Sequence, residues 1–134
     1  MADPKIVGEW LQKAGEDLNF ARSTLQESSN YFAQICFHFH QAAEKFLKAY
    51  IVAYDLEFEK TYNLMRLLSI CSSENPDMLS LNEECARLNT AYIDTRYPVH
   101  WPVNYTMEKA QNMKKDAEAI ESAVVNFLSE NGYR

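Results

Sequence analysis

Chemistry in this chain concentrates in one short stretch, "DTRYPVHWPVNYT", residues 94 to 106. It holds Arg96, Tyr97, His100, Trp101 and Tyr105, together with two of the four prolines. Arginine offers a planar, permanently charged fork suited to phosphate. Histidine is the side chain whose unperturbed pKa permits proton transfer near neutrality. Aromatic faces are platforms on which bases stack. Pro98 and Pro102 each remove a backbone donor and bias the preceding residue away from helix. Residues 96 to 105 are therefore expected to leave the helix. Two readings compete on composition alone: a structural elbow pinned by its aromatics, with Arg96 paired to an acid such as Asp94, or the working part of the protein. Composition supports both equally.

A second candidate region is "CFHFHQAAEKFLKAY", residues 36 to 50. His38 and His40 stand two apart, which on a helix turns them about 200° from each other, so they cannot share one metal ion. His40 and Glu44 share a face, but two ligands without a third make no convincing metal site. The preferred reading puts His40 at the edge of the packed face, bonded to Glu44 or to a neighbouring helix. No metal site and no cofactor are expected. His38, Gln41, Lys45 and Lys48 form another strip. It reads either as a solvated flank whose lysine stems cover apolar neighbours or as a cationic lining for a phosphate-bearing ligand, and spacing alone favours the flank. Glu16 and Asp17 read as solvated charges without a facing acid pair. No Walker loop, G-x-S-x-G or G-x-G-x-x-G occurs.

The elements that must position these residues are helical. Apolar residues recur at three and four, and strand-type alternation is nowhere sustained. The spacing predicts a helix over about 4 to 28 (Val7, Leu11, Ala14, Leu18, Ala21, Leu25), opened by Asp3-Pro4 and closed by a turn at Ser28-Ser29-Asn30. A second helix, about 30 to 55, carries Phe32, Cys36, Phe39, Ala43, Phe46, Tyr50 and Tyr54 on its main face. A further apolar strip, Ala33, Phe37, Leu47 and Ile51, lies well round from the first. That helix must be central in the bundle or must meet a second subunit, and the strip is expected to make the chain a homodimer. A third helix follows Lys60 (Leu64, Leu67, Leu68, Cys71). Residues 72 to 77 read as a loop, and a fourth helix as 78 to 94 (Leu81, Cys85, Leu88, Tyr92). The fifth presents Ala110, Met113, Ala117, Ile120, Val124 and Phe127, and stops at Asn131-Gly132. The expectation is one all-α domain over 1–134, a five-helix, mostly up-and-down antiparallel bundle.

Composition narrows the function. At 134 residues and 47% hydrophobic the chain can bury one core. A net charge of −6 argues against a general, backbone-driven nucleic-acid binder, which carries a basic surplus, though not against a local basic pocket. Three scattered cysteines without C-x-x-C spacing fit a reduced cytoplasmic setting. No signal peptide and no membrane span are read from the sequence.

Taken together, "FHFHQAAEKFLKAY", "KTYNLMRLL", "LNTAYIDTRYP" and the amphipathic "WLQKAGEDLNFA" resemble the HEPN (higher eukaryotes and prokaryotes nucleotide-binding) domain family. The resemblance covers nearly the whole chain. It implies a five-helix bundle that commonly dimerises, and many members are encoded beside a minimal nucleotidyltransferase in two-gene, toxin–antitoxin-like modules. Active members are metal-independent ribonucleases in which an arginine and a histidine, a short spacer apart, promote attack of a ribose 2′-hydroxyl on its own phosphodiester. There histidine acts as acid or base and arginine stabilises the phosphorane. Arg96 and His100 match that pair but with only three residues between them, Pro98 included. Tyr62 stands where relatives often have histidine. The Arg-Tyr-Pro version resembles small standalone members.

The resemblance implies a nucleotide- or RNA-binding protein that partners a nucleotidyltransferase, with Arg96, Tyr97, Lys45, Lys48 and Trp101 as binding residues. The alternatives are a ribonuclease using Arg96 and His100, and a helical subunit whose task is protein association.

Overall fold

The computed structural model describes residues 2–27, 30–96 and 104–132, and for 93–96 the helical backbone alone. Five α-helices form a mostly up-and-down antiparallel bundle: α1 (Pro4–Gln26), α2 (Phe32–Ala53), α3 (Leu64–Glu74), α4 (Asn82–Arg96) and α5 (Met107–Glu130). Local chemistry explains the ends. The Asp3 carboxylate accepts from Lys5 N at 2.9 Å with Pro4 in the first turn. Thr106 caps α5 by accepting from Lys109 N at 3.1 Å. α2 stops where Asp55 turns to φ 53°, with Leu56 N donating to Ile51 O at 2.9 Å and Asp55 N to Val52 O at 3.2 Å. That is the left-handed turn which satisfies the last helical carbonyls. α5 ends at Glu130 and is capped by Asn131, followed by Gly132 with φ 89°. The expected turn after α1 lies partly outside the described residues, at Ser28 and Ser29.

One expectation fails between α3 and α4. Residues 72–77 are not a loop: α3 continues to Glu74, and Pro76–Leu81 form a 3-10 helix. Asn75 opens it by accepting from Asp77 N at 3.0 Å, and Pro76 presets the first turn. α4 accordingly begins at Asn82, not at Met78.

α2 is the centre of the bundle, packed by α1, α3, α4 and α5. The second apolar strip is what its central place requires. Leu47 and Ile51 are fully buried within this one chain, and Ala33 and Phe37 are half-buried. Leu47 and Ile51 therefore provide no argument for a second subunit. On α5, Leu128 completes the buried face while Phe127 is only partly covered. Cys36, Cys71 and Cys85 are buried and free. Burial pushes the thiols of Cys36 and Cys85 up to about 12, and raises Cys71 as well, so none is a ready nucleophile. Among the described residues no helix is long and apolar enough to cross a membrane.

Gly15 lies mid-helix in α1, and a Cβ there would meet nothing within 4 Å. Gly15→Ala should raise the unfolding free energy by roughly 0.5–1 kcal/mol, because a helix-interior glycine loses more backbone entropy than alanine. Urea denaturation of the two proteins measures it.

Candidate functional site

The strongest constellation sits where the loop before α3 meets α4. Tyr62 and Tyr92 stack with ring centroids 5.1 Å apart at 17°. Tyr92 in turn stacks on His40 (5.4 Å, 24°) and Phe37 (6.3 Å, 23°) of α2. A cavity of about 320 Å³ opens beside the pair, lined by Lys60, Thr61, Tyr62, Asn63, Asn89 and Tyr92.

His40 holds this loop in place. It is fully buried and its Nε2 lies 2.9 Å from the Tyr62 carbonyl oxygen, so Nε2 carries the proton and donates. Nδ1 is then a bare acceptor, with no partner among the described residues. Burial lowers the His40 pKa to about 4. The Tyr62 hydrogen bond opposes this, and nearby Lys48 lowers it further. At neutral pH His40 is a positioning group rather than an acid. The preferred sequence reading, an edge histidine bonded to Glu44 or a neighbouring helix, is corrected in both place and partner. The residue is interior, and its bond goes to the loop preceding α3.

Glu44 is engaged elsewhere. It pairs with Lys48 at 2.7 Å, and both side chains are only 8% exposed. The Lys48 ammonium lies 5.5 Å from the Tyr62 ring centre and 5.7 Å from that of Phe58. Lys45 turns to α1 and pairs with Asp17, so Asp17 is not the solvated charge expected of it. Lys45 also lines a separate cavity of about 190 Å³ with Glu9, Trp10 and Lys13. Of the two lysines, Lys48 alone borders the tyrosine pair.

The loop and helix geometry comes from capping. Asn63 Oδ1 accepts from Met65 N at 3.0 Å and from Arg66 N at 3.4 Å. Asn89 Oδ1 accepts from Leu64 N at 2.8 Å, and Asn89 Nδ2 donates to Asn63 Oδ1 at 3.2 Å. The first amides of α3 are thus consumed, and the α3 start is pinned to α4.

Arg96 is the last residue of α4. Helical register puts positions 89, 92 and 96 on one stripe, the stripe of the cavity residues Asn89 and Tyr92. Tyr97, His100 and Trp101 lie outside the described residues. Beyond them, Asn104 to Thr106 are non-helical, and the Lys109 ammonium lies 4.5 Å from the Tyr105 ring centre. Among the described residues, no group of three His, Cys, Asp or Glu side chains is placed to hold a metal ion.

Sequence reasoning did not select Lys60, Asn63, Asn89 and Tyr92 as site residues. The available signal was slight: Asn63 directly before an apolar run is a cap, and Asn89 and Tyr92 share a helical face.

The HEPN domain family model matches residues 7–128. A Methanocaldococcus jannaschii protein named "Putative toxin MJ1304" is 26% identical, the alignment covering 94% of this chain and 90% of that protein. The crystal structure of ST0689, an archaeal HEPN homologue, superposes with a TM-score of 0.71 at 23% identity, covering 90% of this chain and 95% of the other.

Proposed function

The chain belongs to the HEPN domain family, and on that premise we propose that it binds nucleotide or RNA as the partner of a minimal nucleotidyltransferase in a two-gene, toxin–antitoxin-like module. The observation that supports binding is the stacked Tyr62–Tyr92 pair beside its cavity, on the α4 stripe that leads to Arg96. Arg96 is the phosphate contact, with Tyr97 and Trp101 as further stacking groups. Lys48 lies over the Tyr62 ring, and Lys45, paired with Asp17, borders the α1 side. The similarity to a protein named as a toxin supports the module. A homodimer in the cytoplasm is part of the proposal and rests on the family.

The second reading is a metal-independent ribonuclease. It is favoured by Arg96 as the last residue of α4, with His100 four positions further along the sequence. In that case His100 moves the proton and Arg96 stabilises the phosphorane.

Labelled RNA and mononucleotides incubated with the purified protein, with and without chelator, test both readings. Arg96→Ala should weaken binding about tenfold, the loss of one charge-assisted contact, while helical content by circular dichroism is unchanged. Binding should weaken with added salt. His100→Ala should alter cleavage where cleavage occurs and leave binding intact. Absence of any affinity in the wild-type protein, with Arg96→Ala unfolded, would make the segment a structural elbow and overturn the proposal.

A further inference from the structure

We propose that the cavity between residues 60–63 and α4 is a subsite for a nucleobase, with Lys60 at its rim for the attached phosphate. This deepens the nucleotide- or RNA-binding reading and rests on it. At about 320 Å³ the cavity is at the lower end of small-molecule sites, roughly 300–1,000 Å³.

Its chemistry favours a flat ring over a bare anion. Two of the six lining side chains are the stacked tyrosines; Tyr92 and the Lys48 ammonium lie over the Tyr62 ring, yet Tyr62 is still 46% exposed, so part of the aromatic pair borders the cavity. The pair is held before any ligand arrives. The His40 hydrogen bond fixes the Tyr62 backbone, and the His40 and Phe37 rings brace Tyr92 from within the core. Little ordering is left for the ligand to impose.

The α3 N-terminus, the obvious place for a phosphate, is closed to it. Leu64, Met65 and Arg66 amides are already taken by Asn89 and Asn63. The same bonds fill Asn63 Oδ1 and use one lone pair of Asn89 Oδ1, and they leave the Asn63 Nδ2 donors and the second hydrogen on Asn89 Nδ2. Such donors match the ring nitrogens and carbonyl oxygens of a base. Lys60 is exposed and has no ion-pair partner among the described residues, so a cation is available where a phosphate attached to the base would emerge.

Another cavity, about 370 Å³ between α1 and α5, lacks these features. Arg22 and Lys114 there both contact Glu118, and no aromatic side chain lines it.

The base belongs either to a free mononucleotide or to a strand of RNA, and titration calorimetry on the full chain separates the two. The probes are AMP, ribose 5-phosphate and a ten-nucleotide oligoribonucleotide, against the wild type, Tyr62→Leu, Tyr62→Phe, Lys60→Gln and Arg96→Ala. Tyr62→Leu should weaken binding about tenfold, the loss of one base-stacking ring. Tyr62→Phe should stay within about twofold, since the face is retained. Lys60→Gln should lower the salt slope by about 0.7–0.9, one phosphate contact. Ribose 5-phosphate, which has no base, should bind at least about tenfold more weakly than AMP. Binding of AMP assigns the base to a free nucleotide, and binding of the oligoribonucleotide alone assigns it to RNA; both support the subsite. Undiminished binding by Tyr62→Leu together with loss in Arg96→Ala overturns the subsite and leaves the nucleotide-binding reading standing. No binding of AMP or oligoribonucleotide by the wild type overturns both.

Discussion

Lys48→Met lowers the unfolding free energy by about 3–5 kcal/mol, the usual cost of removing one partner from a buried ion pair. Lys48 and Glu44 meet at 2.7 Å with 8% of each side chain exposed. Methionine keeps most of the apolar stem, so packing against Phe58 and Tyr62 is largely preserved. The loss then reports the charge. It comes from Glu44, whose carboxylate stays in the interior without its cation. Adding Glu44→Gln to Lys48→Met should recover most of the loss, because the stranded charge is gone. Urea denaturation of the wild type, both single variants and the double variant gives the coupling energy directly. A loss under about 1 kcal/mol for Lys48→Met would mean that the pair behaves as an exposed one. The pair also bears on the site. Glu44 already balances the Lys48 charge, so the effect of Lys48 on an anion is expected to run largely through the placement of the Tyr62 ring.

Acid should weaken the fold through His40. In the folded chain its pKa is about 4, below the ordinary histidine value of 6.5, chiefly because burial disfavours the charged ring. Below pH 6.5 the unfolded chain therefore takes up a proton that the folded chain refuses until about pH 4. Stability from this residue is complete above pH 6.5 and is lost as pH falls towards 4. At pH 5 the deficit is about 2 kcal/mol. His40→Gln removes the titrating ring but leaves every other acid and base in place. Between pH 7.5 and pH 5 the wild type should lose about 2 kcal/mol more than His40→Gln, whatever the absolute stability of the variant. Parallel profiles would show that His40 takes up its proton as readily in the folded chain as in the unfolded one, and burial would not be holding the ring neutral at pH 5.

Both predictions concern residues that the sequence singled out and could not assign. His40, Glu44 and Lys48 form two i, i+4 pairs on one helix, and spacing treats them alike. The choice depends on what covers each side. The loop at Tyr62 comes within reach of His40, which leaves Glu44 to Lys48. Lys45, three residues earlier, faces α1 and pairs with Asp17 instead. A helical wheel shows which side chains share a face, but not which neighbour arrives there.

The sequence alone determined the all-α class, the family resemblance, the faces of the five helices and several of their ends. These are short-range properties. Periodicity of three and four marks the buried stripe, and a cap such as Asp3 acts within three residues of itself. The same local reasoning failed at Pro76–Leu81, where a proline suits a loop or the first turn of a helix equally well. Tertiary structure decided that α2 lies at the centre, and so that Leu47 and Ile51 are covered by their own chain. It also assembled the cavity. Lys60 to Asn63 and the pair Asn89 and Tyr92 are more than 25 residues apart, joined through the bond from Leu64 N to Asn89 Oδ1. No local pattern encodes such a meeting, because it depends on how α3 and α4 pack around α2.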